Sequence, residues 1–285
     1  MGAGEDGLNR LAHRDPGRYV PDVPYARRDD LSLYYERAGS GDPPLLFVHG
    51  WCCDCTFFQP QFEHFQSSHA VTTLDLRGCG SSDRPEDGYD VPSLADDLAW
   101  LCDEIQISRP VVIGHSLGGM IAIELAARHP SVPSAVVADD PGPINSLPET
   151  QRIYEGFALE LEGPEGEAVR RAWVEDGVGP TASADQRHWI VETMCSVPLS
   201  VAAAAIRGLT AWNGSAALAL CTVPLLVLSS ATGGDNDPAR LLPLKPDLHF
   251  GVTVGAGHFH QLEAPEQVTA MIGRFLQVAL MGSRV

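Results

Sequence analysis

Short, continuous apolar runs alternate along the chain with segments whose apolar residues recur every three to four positions. The continuous runs are typical of strands covered on both faces of a sheet. We predict strands at 45–48, 71–76, 111–113, 135–138, 223–229 and 249–254, after an alternating strand at 31–37, and the run at 45–48 is continuously apolar. Helical spacing predicts helices over 92–105, 120–128 and 265–280. This order of strands and helices predicts an α/β fold with a parallel sheet and right-handed crossovers.

The alternation stops between Pro141 and Thr222. This stretch shows helical spacing but no strand pattern, with apolar-periodic segments at 153–161, 168–174, 188–194 and 201–209. We therefore predict an N-terminal arm over 1–24, a core formed by 25–141 and 223–285, and a helical cap, or lid, over 142–222. Aromatic and apolar residues of the cap are candidates to line a pocket, although many will pack the cap against itself.

Charge and hydropathy narrow the possible partners. The net charge of −18 argues against binding to nucleic acid or to an anionic membrane. The sequence contains neither an apolar run long enough to cross a membrane nor the pattern of a secretory signal. We expect a cytoplasmic protein that binds a small-molecule substrate, and the sequence leaves the oligomeric state open.

The cysteines predict neither a disulfide framework nor a metal site. Their number, seven, is odd, and the single Cys-x-x-Cys spacing, from Cys52 to Cys55, has no second such motif to pair with. Cys52, Cys53 and Cys55 lie close together, but no fourth ligand follows at a structural-zinc spacing. No nucleotide-binding glycine motif occurs either, so we expect neither a metal nor another cofactor.

Residues 114–118 read Gly-His-Ser-Leu-Gly, between a predicted strand and a predicted helix. This pattern predicts a nucleophile elbow with Ser116 at its tip. A serine nucleophile needs a histidine base, and His258 follows the last predicted strand in a glycine-rich turn. Loops that follow parallel strands meet at one edge of the sheet, so His258 can lie near Ser116. His260 is two residues further along the chain and is expected to point elsewhere. His115 is predicted to line the pocket.

Four segments in order resemble the α/β-hydrolase fold superfamily. They are His-Gly-Trp at 49–51, Asp-Leu-Arg-Gly-Cys-Gly-Ser-Ser at 75–82, the elbow, and Gly-Ala-Gly-His at 255–258 with Glu263 and Pro265 behind it. The resemblance covers residues 31–280 and implies a mostly parallel eight-stranded sheet with helices on both faces and a helical lid. It also implies an oxyanion hole formed by the backbone N–H groups of Trp51 and Leu117.

The position of the triad acid departs from the common family pattern. In most members the acid follows the strand predicted at 223–229, but residues 229–234 contain no carboxylate. A minority of members place it after the preceding strand, where Asp139 and Asp140 stand in this chain. Comparison with those members favours Asp140. Asp235, Asp139 and Asp237 remain alternatives.

The resemblance implies a hydrolase that cleaves an ester or lactone of a small apolar or aromatic substrate through an acyl-enzyme on Ser116. Epoxide hydrolases and haloalkane dehalogenases of this fold carry aspartate at the elbow, which argues against those reactions. One alternative is a cofactor-independent ring-cleaving dioxygenase of the quinolone type, which the tripeptide at 50–52 resembles. Cys53 stands where those enzymes have histidine. A carbon–carbon bond hydrolase is a further alternative.

Overall fold

A computed structural model describes residues 25–231 and 236–281, so the predicted arm over 1–24 lies outside the described residues. Eight strands form one sheet in the order β1-β2-β4-β3-β5-β6-β7-β8. Their bounds are β1 Tyr25–Arg28, β2 Leu31–Ala38, β3 Leu45–Val48, β4 Val71–Leu74, β5 Val111–His115, β6 Ala135–Asp139, β7 Leu225–Ser229 and β8 His249–Val252.

The helices fill the crossovers between strands. In chain order they are α1 Gln59–Phe65, α2 Val91–Glu104, α3 Leu117–Arg128, α4 Pro148–Leu161, α5 Gly166–Gly177, α6 Ala184–Cys195, α7 Leu199–Ala211, α8 Gly214–Leu220, α9 Pro238–Leu241, α10 His260–Glu263 and α11 Pro265–Met281. We call α4 to α8, which lie between β6 and β7, the cap helices. No single helix in the described ranges is long and apolar enough to cross a membrane. Within these ranges, only the bent pair α6 and α7 reaches the required length and apolar content, and only when the two helices are counted together.

The sheet is covered on both faces, which explains its continuous apolar strands. β1 pairs antiparallel with β2, and β2 with β4, while every other pairing is parallel. Along β3, Leu45 and Phe47 pack in the core layer that holds Val268 of α11, whereas Leu46 and Val48 pack in the opposite layer. The predicted fold class, a mostly parallel eight-stranded α/β sheet, is confirmed.

Two contacts hold the cap helices together and join them to the sheet edge. The guanidinium of Arg170 on α5 is fully buried and donates to Cys195 O at 2.6 Å and to Val197 O, at the turn between α6 and α7. The indole Nε1 of Trp51, in the loop after β3, donates to Ala202 O of α7 at 2.9 Å. The cap therefore contacts the loop at the carboxyl end of a central strand.

The boundaries differ from the prediction where loops begin. β4 ends at Leu74 rather than at residue 76, because Leu76 N–H donates to the imidazole of His49 and not to a neighbouring strand. The helix after the elbow begins at Leu117, three residues earlier than predicted, because Ser116 itself is its N-cap.

Candidate active site

The elbow holds Ser116 in a strained backbone conformation. Its φ is 53° and its ψ is −118°, a region that costs a non-glycine residue free energy. A Cβ at position 114 would lie 2.1 Å from Gly118 O, and a Cβ at position 118 would lie 2.2 Å from Val48 O. Both glycines are therefore required by the close approach of β5, α3 and the end of β3.

His258 is held by its backbone as well as by its ring. Its N–H donates to Gly177 O at 2.9 Å, and its carbonyl accepts from His115 Nε2 at 2.8 Å. Burial lowers the pKa of His115 well below its usual value, so this ring is neutral. Because Nε2 faces a carbonyl oxygen, which can only accept, the single ring proton is assigned to Nε2. His258 Nδ1 lies 2.7 Å from Asp140 Oδ2.

Asp140 adopts a positive φ of 41°, directly after β6. Its Oδ1 accepts from Ser230 N–H at 2.7 Å, so one carboxylate joins the ends of β6 and β7 and reaches His258. Burial by itself raises the pKa of Asp140. The hydrogen bond and charge of His258, the charge of His260 and the Ser230 N–H outweigh burial and lower this pKa to about 2.

The other candidate acids lie elsewhere. Asp139 is fully buried with its Oδ1 2.8 Å from His260 Nε2, outside good hydrogen-bond geometry. Burial lowers the pKa of His260, but Asp139 outweighs burial and the net shift is upward. Asp237 accepts from Ala239 N–H at 2.8 Å as the N-cap of α9. Asp235 lies outside the described residues. Among the carboxylates of the described ranges, only that of Asp140 contacts the ring of His258.

The loop after β3 lies against the elbow, since a Cβ at position 50 would lie 3.0 Å from Ser116 Cβ. His49 Nδ1–H donates to Gly50 O at 2.8 Å while its Nε2 accepts from Leu76 N–H, which fixes the loop. Cys52 follows with a positive φ of 56°. In the part of the chain that the structure describes, the N–H groups of Trp51 and Leu117 donate to no protein acceptor. They are available to an oxyanion.

One cavity of about 380 Å³ opens at the sheet edge beneath the cap, a size typical of small-molecule sites. It is lined by Ser116, His258, Asp140 and His115, by the apolar side chains Trp51, Tyr154, Trp173, Met194, Ile206, Leu209 and Phe259, and by the polar residues Asp176, Ser229, Ser230 and Asn236, among others. Three other large aromatic side chains between β6 and β7 contact protein side chains: Phe157 stacks on Trp173, Trp189 packs on Phe57, and the indole N–H of Trp212 donates to Glu124.

The cysteines after β3 are buried and free. Burial raises the pKa of the thiols of Cys52, Cys53 and Cys55, which disfavours the thiolate that a metal or an electrophile requires. Across residues 25–231 and 236–281, no three His, Cys, Asp or Glu side chains are arranged to hold a metal ion.

The motif at 75–82 has a structural role beside the site. Asp75 is buried, and its carboxylate accepts from Cys55 N–H at 2.8 Å and from Ser81 N–H at 2.7 Å. Gly80 lies so close that a Cβ there would be 2.1 Å from Asp75 Oδ2. Asp75 therefore ties the loop after β4 to the segment that follows Trp51.

Glu263 connects the cap to the loop that carries His258, a role that its sequence position does not reveal. Its Oε1 accepts from Gly179 N–H at 3.0 Å, and its Oε2 accepts from Gly257 N–H at 3.1 Å and from the Thr181 hydroxyl at 3.2 Å. The two glycines pack back to back, since a Cβ at position 179 would lie 2.2 Å from Gly257 N.

Substitution Glu263→Gln is expected to lower the free energy of unfolding by about 2 kcal/mol, because an amide NH₂ would face N–H donors and a charged acceptor would be lost. Urea denaturation measures this change. The matched control is Glu266→Gln, an exposed carboxylate in the first turn of α11, for which a loss of about 0.5 kcal/mol is expected. Equal losses in the two variants would contradict a connecting role for Glu263.

The depressed pKa of Asp140 predicts a pH dependence of stability. A carboxyl with a pKa lower in the folded chain than in the unfolded one stabilises the fold above the unfolded value of about 4, and that contribution is lost as pH falls through about 2. Relative to Asp140→Asn, the wild type is expected to gain about 3 kcal/mol from this ionisation at pH 6 and about 1 kcal/mol at pH 3. Urea unfolding of both proteins at the two pH values measures the difference, and a difference that grows toward pH 3 would contradict the expectation.

Comparisons with known proteins agree with this architecture. The alpha/beta hydrolase fold family matches residues 43–161. A 2-(acetamidomethylene)succinate hydrolase of Mesorhizobium japonicum is 35% identical over 118 residues, which are 40% of this chain and 42% of that protein. The chain spans about two fifths of the length of the first curated relatives it matches.

Solved structures match over most of the chain. A thermophilic esterase from Thermogutta terrifontis superposes with a TM-score of 0.77 at 26% identity, covering 87% of this chain and 94% of that one. The enol-lactonase from Burkholderia xenovorans LB400 superposes with a TM-score of 0.77 at 22% identity, covering 89% and 100%. The sheet order, the strained elbow and the family match over residues 43–161 together show that the chain has the α/β-hydrolase fold.

Proposed function

We propose that this protein is a serine hydrolase that cleaves an ester or lactone through an acyl-enzyme on Ser116. The observation that carries the proposal is the 2.7 Å contact between His258 Nδ1 and Asp140 Oδ2, in the same cavity as a serine on a strained elbow. Named relatives that hydrolyse esters and lactones share the fold, which supports this reaction class.

In the proposed reaction, Ser116 Oγ bonds to the substrate carbonyl carbon while its proton passes to His258 Nε2. The carbonyl oxygen becomes an oxyanion that accepts from the N–H groups of Trp51 and Leu117, each donor contributing about 3 kcal/mol in the transition state. The carbon–oxygen bond to the leaving group then breaks, and His258 returns the proton to that oxygen. Water, deprotonated by His258, hydrolyses the acyl-enzyme and regenerates Ser116.

Asp140 holds His258 in the tautomer that this sequence of steps needs. With Nδ1–H donating to the carboxylate, Nε2 carries the free lone pair that accepts the serine proton. Within the described ranges no hydrogen bond joins Ser116 Oγ to His258 in the ligand-free chain. Hydrogen bonds between a catalytic serine and its base commonly tighten only when substrate binds, and we expect the same of Ser116 and His258.

The cavity lining favours a small substrate with an apolar or aromatic part. In the described ranges, the lining combines seven large apolar or aromatic side chains with eight polar or charged ones, of which Ser116, His258 and Asp140 are assigned to the proposed reaction. The Mesorhizobium relative is named for a succinate derivative. Among the described residues that line this cavity there is no Lys or Arg that could bind a carboxylate, so a succinate derivative is not the substrate we propose for this chain.

A panel of small aryl esters and lactones tests the proposal. We expect turnover of at least one member by the wild type and none above background by Ser116→Ala. If no member were turned over while a hydroxyquinolone supported oxygen consumption, the hydrolase proposal would be contradicted in favour of the ring-cleaving alternative.

A further inference from the structure

The cavity carries one carboxylate that the proposed reaction does not use. Asp176 lies on α5, is exposed to solvent like its neighbour Glu175, and lines the cavity; in the described part of the chain it makes no hydrogen bond or ion pair. The other lining carboxylate, Asp140, is already paired with His258 and Ser230. Asp176 is therefore the charged group of the cavity that remains for a substrate.

An aromatic side chain stands beside this carboxylate. Trp173 precedes Asp176 by three residues on α5, so the two share a helix face, and both line the cavity. The indole of Trp173 is held by Phe157, stacked at 4.1 Å between ring centroids, and by the edge of Tyr154 at 5.7 Å. The indole of Trp51 also lines the cavity.

Outside the pair formed by His258 and Asp140, the charges of the lining have one sign. Its described residues include Asp140 and Asp176 but no Lys or Arg, and burial keeps His115 neutral. The chain as a whole carries a net charge of −18. A negative, aromatic-lined cavity attracts cations, because a carboxylate and the faces of indole rings both stabilise an ammonium group, and it repels anions.

We propose that this site prefers an ester or lactone whose acyl part carries an ammonium group, bound by Asp176 and Trp173, and that it discriminates against anionic substrates. This inference rests on the proposed hydrolase function and adds the charge of the substrate to it. Asp176 and Trp173 act here as specificity-determining residues and take no part in bond making or breaking.

Three p-nitrophenyl esters with the same spacer test the inference. They are 4-(trimethylammonio)butanoate, its neutral isostere 5,5-dimethylhexanoate, and the anionic glutarate monoester. Each kcat/KM is divided by the rate of the same ester with hydroxide, so that intrinsic reactivity cancels. We expect the wild type to prefer the cationic over the neutral ester by about 10-fold, and the neutral over the anionic ester by about 5-fold.

Two variants and one control identify the residues responsible. Asp176→Asn and Trp173→Leu are each expected to reduce the cationic-to-neutral ratio to about 3 or less. The control is Glu175→Gln, which removes the adjacent exposed carboxylate outside the cavity and is expected to keep the wild-type ratio. This control separates a local contact from an effect of net charge.

The outcomes separate this inference from the function on which it rests. Turnover of the neutral ester with a cationic-to-neutral ratio near 1 would overturn the inference and leave the hydrolase proposal standing. A preference that persisted in Asp176→Asn would overturn the role of Asp176. Failure of the wild type to turn over any of the three esters would count against both proposals.

Discussion

Substitution Ser116→Ala is expected to lower kcat on any ester substrate of this protein by about 10⁶-fold. The strained elbow places the side chain of residue 116 in the cavity with His258, and alanine offers no atom that can form the acyl-enzyme. Steady-state turnover measures the loss, and circular dichroism verifies that the variant is folded. Alanine fits the same backbone, so we expect little change in stability.

The matched control for this loss is Ser196→Ala, at an exposed serine after α6 whose hydroxyl donates to Thr193 O. This variant is expected to keep wild-type kcat. If Ser116→Ala retained a tenth or more of wild-type turnover, the acyl-enzyme proposal would be wrong.

Substitution Asp140→Asn is expected to lower kcat by about 10⁴-fold. An asparagine oxygen can still accept from Ser230 N–H, but the amide NH₂ then faces His258 Nδ1. That nitrogen must become the acceptor, so the proton moves to Nε2 and the ring can no longer accept the proton of Ser116. Measurement of kcat on the ester used for Ser116→Ala gives the loss.

The neighbouring carboxylate provides the control for Asp140→Asn. Asp139→Asn removes the charge opposite His260 in a fully buried pair, so we expect a loss of about 3 kcal/mol in stability. Its folded fraction is expected to keep kcat within a few-fold of wild type, because Asp139 does not contact His258. The reverse result, an active Asp140→Asn and an inactive Asp139→Asn, would reassign the triad acid.

The central strands could be predicted because they are buried on both faces and therefore read as unbroken apolar runs. β1 could not, because only Ala26 of its four residues is buried and no alternation results. α8 was also not predicted: it begins with Gly214 and is short, and its Ala217 and Leu218 are buried by packing against α3 rather than by a long amphipathic stripe. Such edge elements depend on tertiary contacts that a local pattern does not contain.

The proposed nucleophile and base could be placed at one sheet edge from local glycine patterns, whereas the sequence left the choice of the proposed acid open. Asp139 and Asp140 are adjacent in sequence, and only the positive φ of Asp140 turns its carboxylate toward the end of β7. The contact of Glu263 with Gly179 joins residues 84 apart in the chain. Nothing local at either position indicates that the cap and the His258 loop meet there.

Activation of Ser116 can be measured by incubating the protein with a fluorophosphonate and determining its intact mass, followed by peptide mapping. A nucleophilic serine displaces fluoride and retains the phosphonyl group, so we expect one adduct, on Ser116, with parallel loss of ester turnover. Asp140→Asn is expected to label far more slowly. Absence of an adduct, or an adduct on another residue with Ser116 unmodified, would contradict the assignment of Ser116 as the nucleophile.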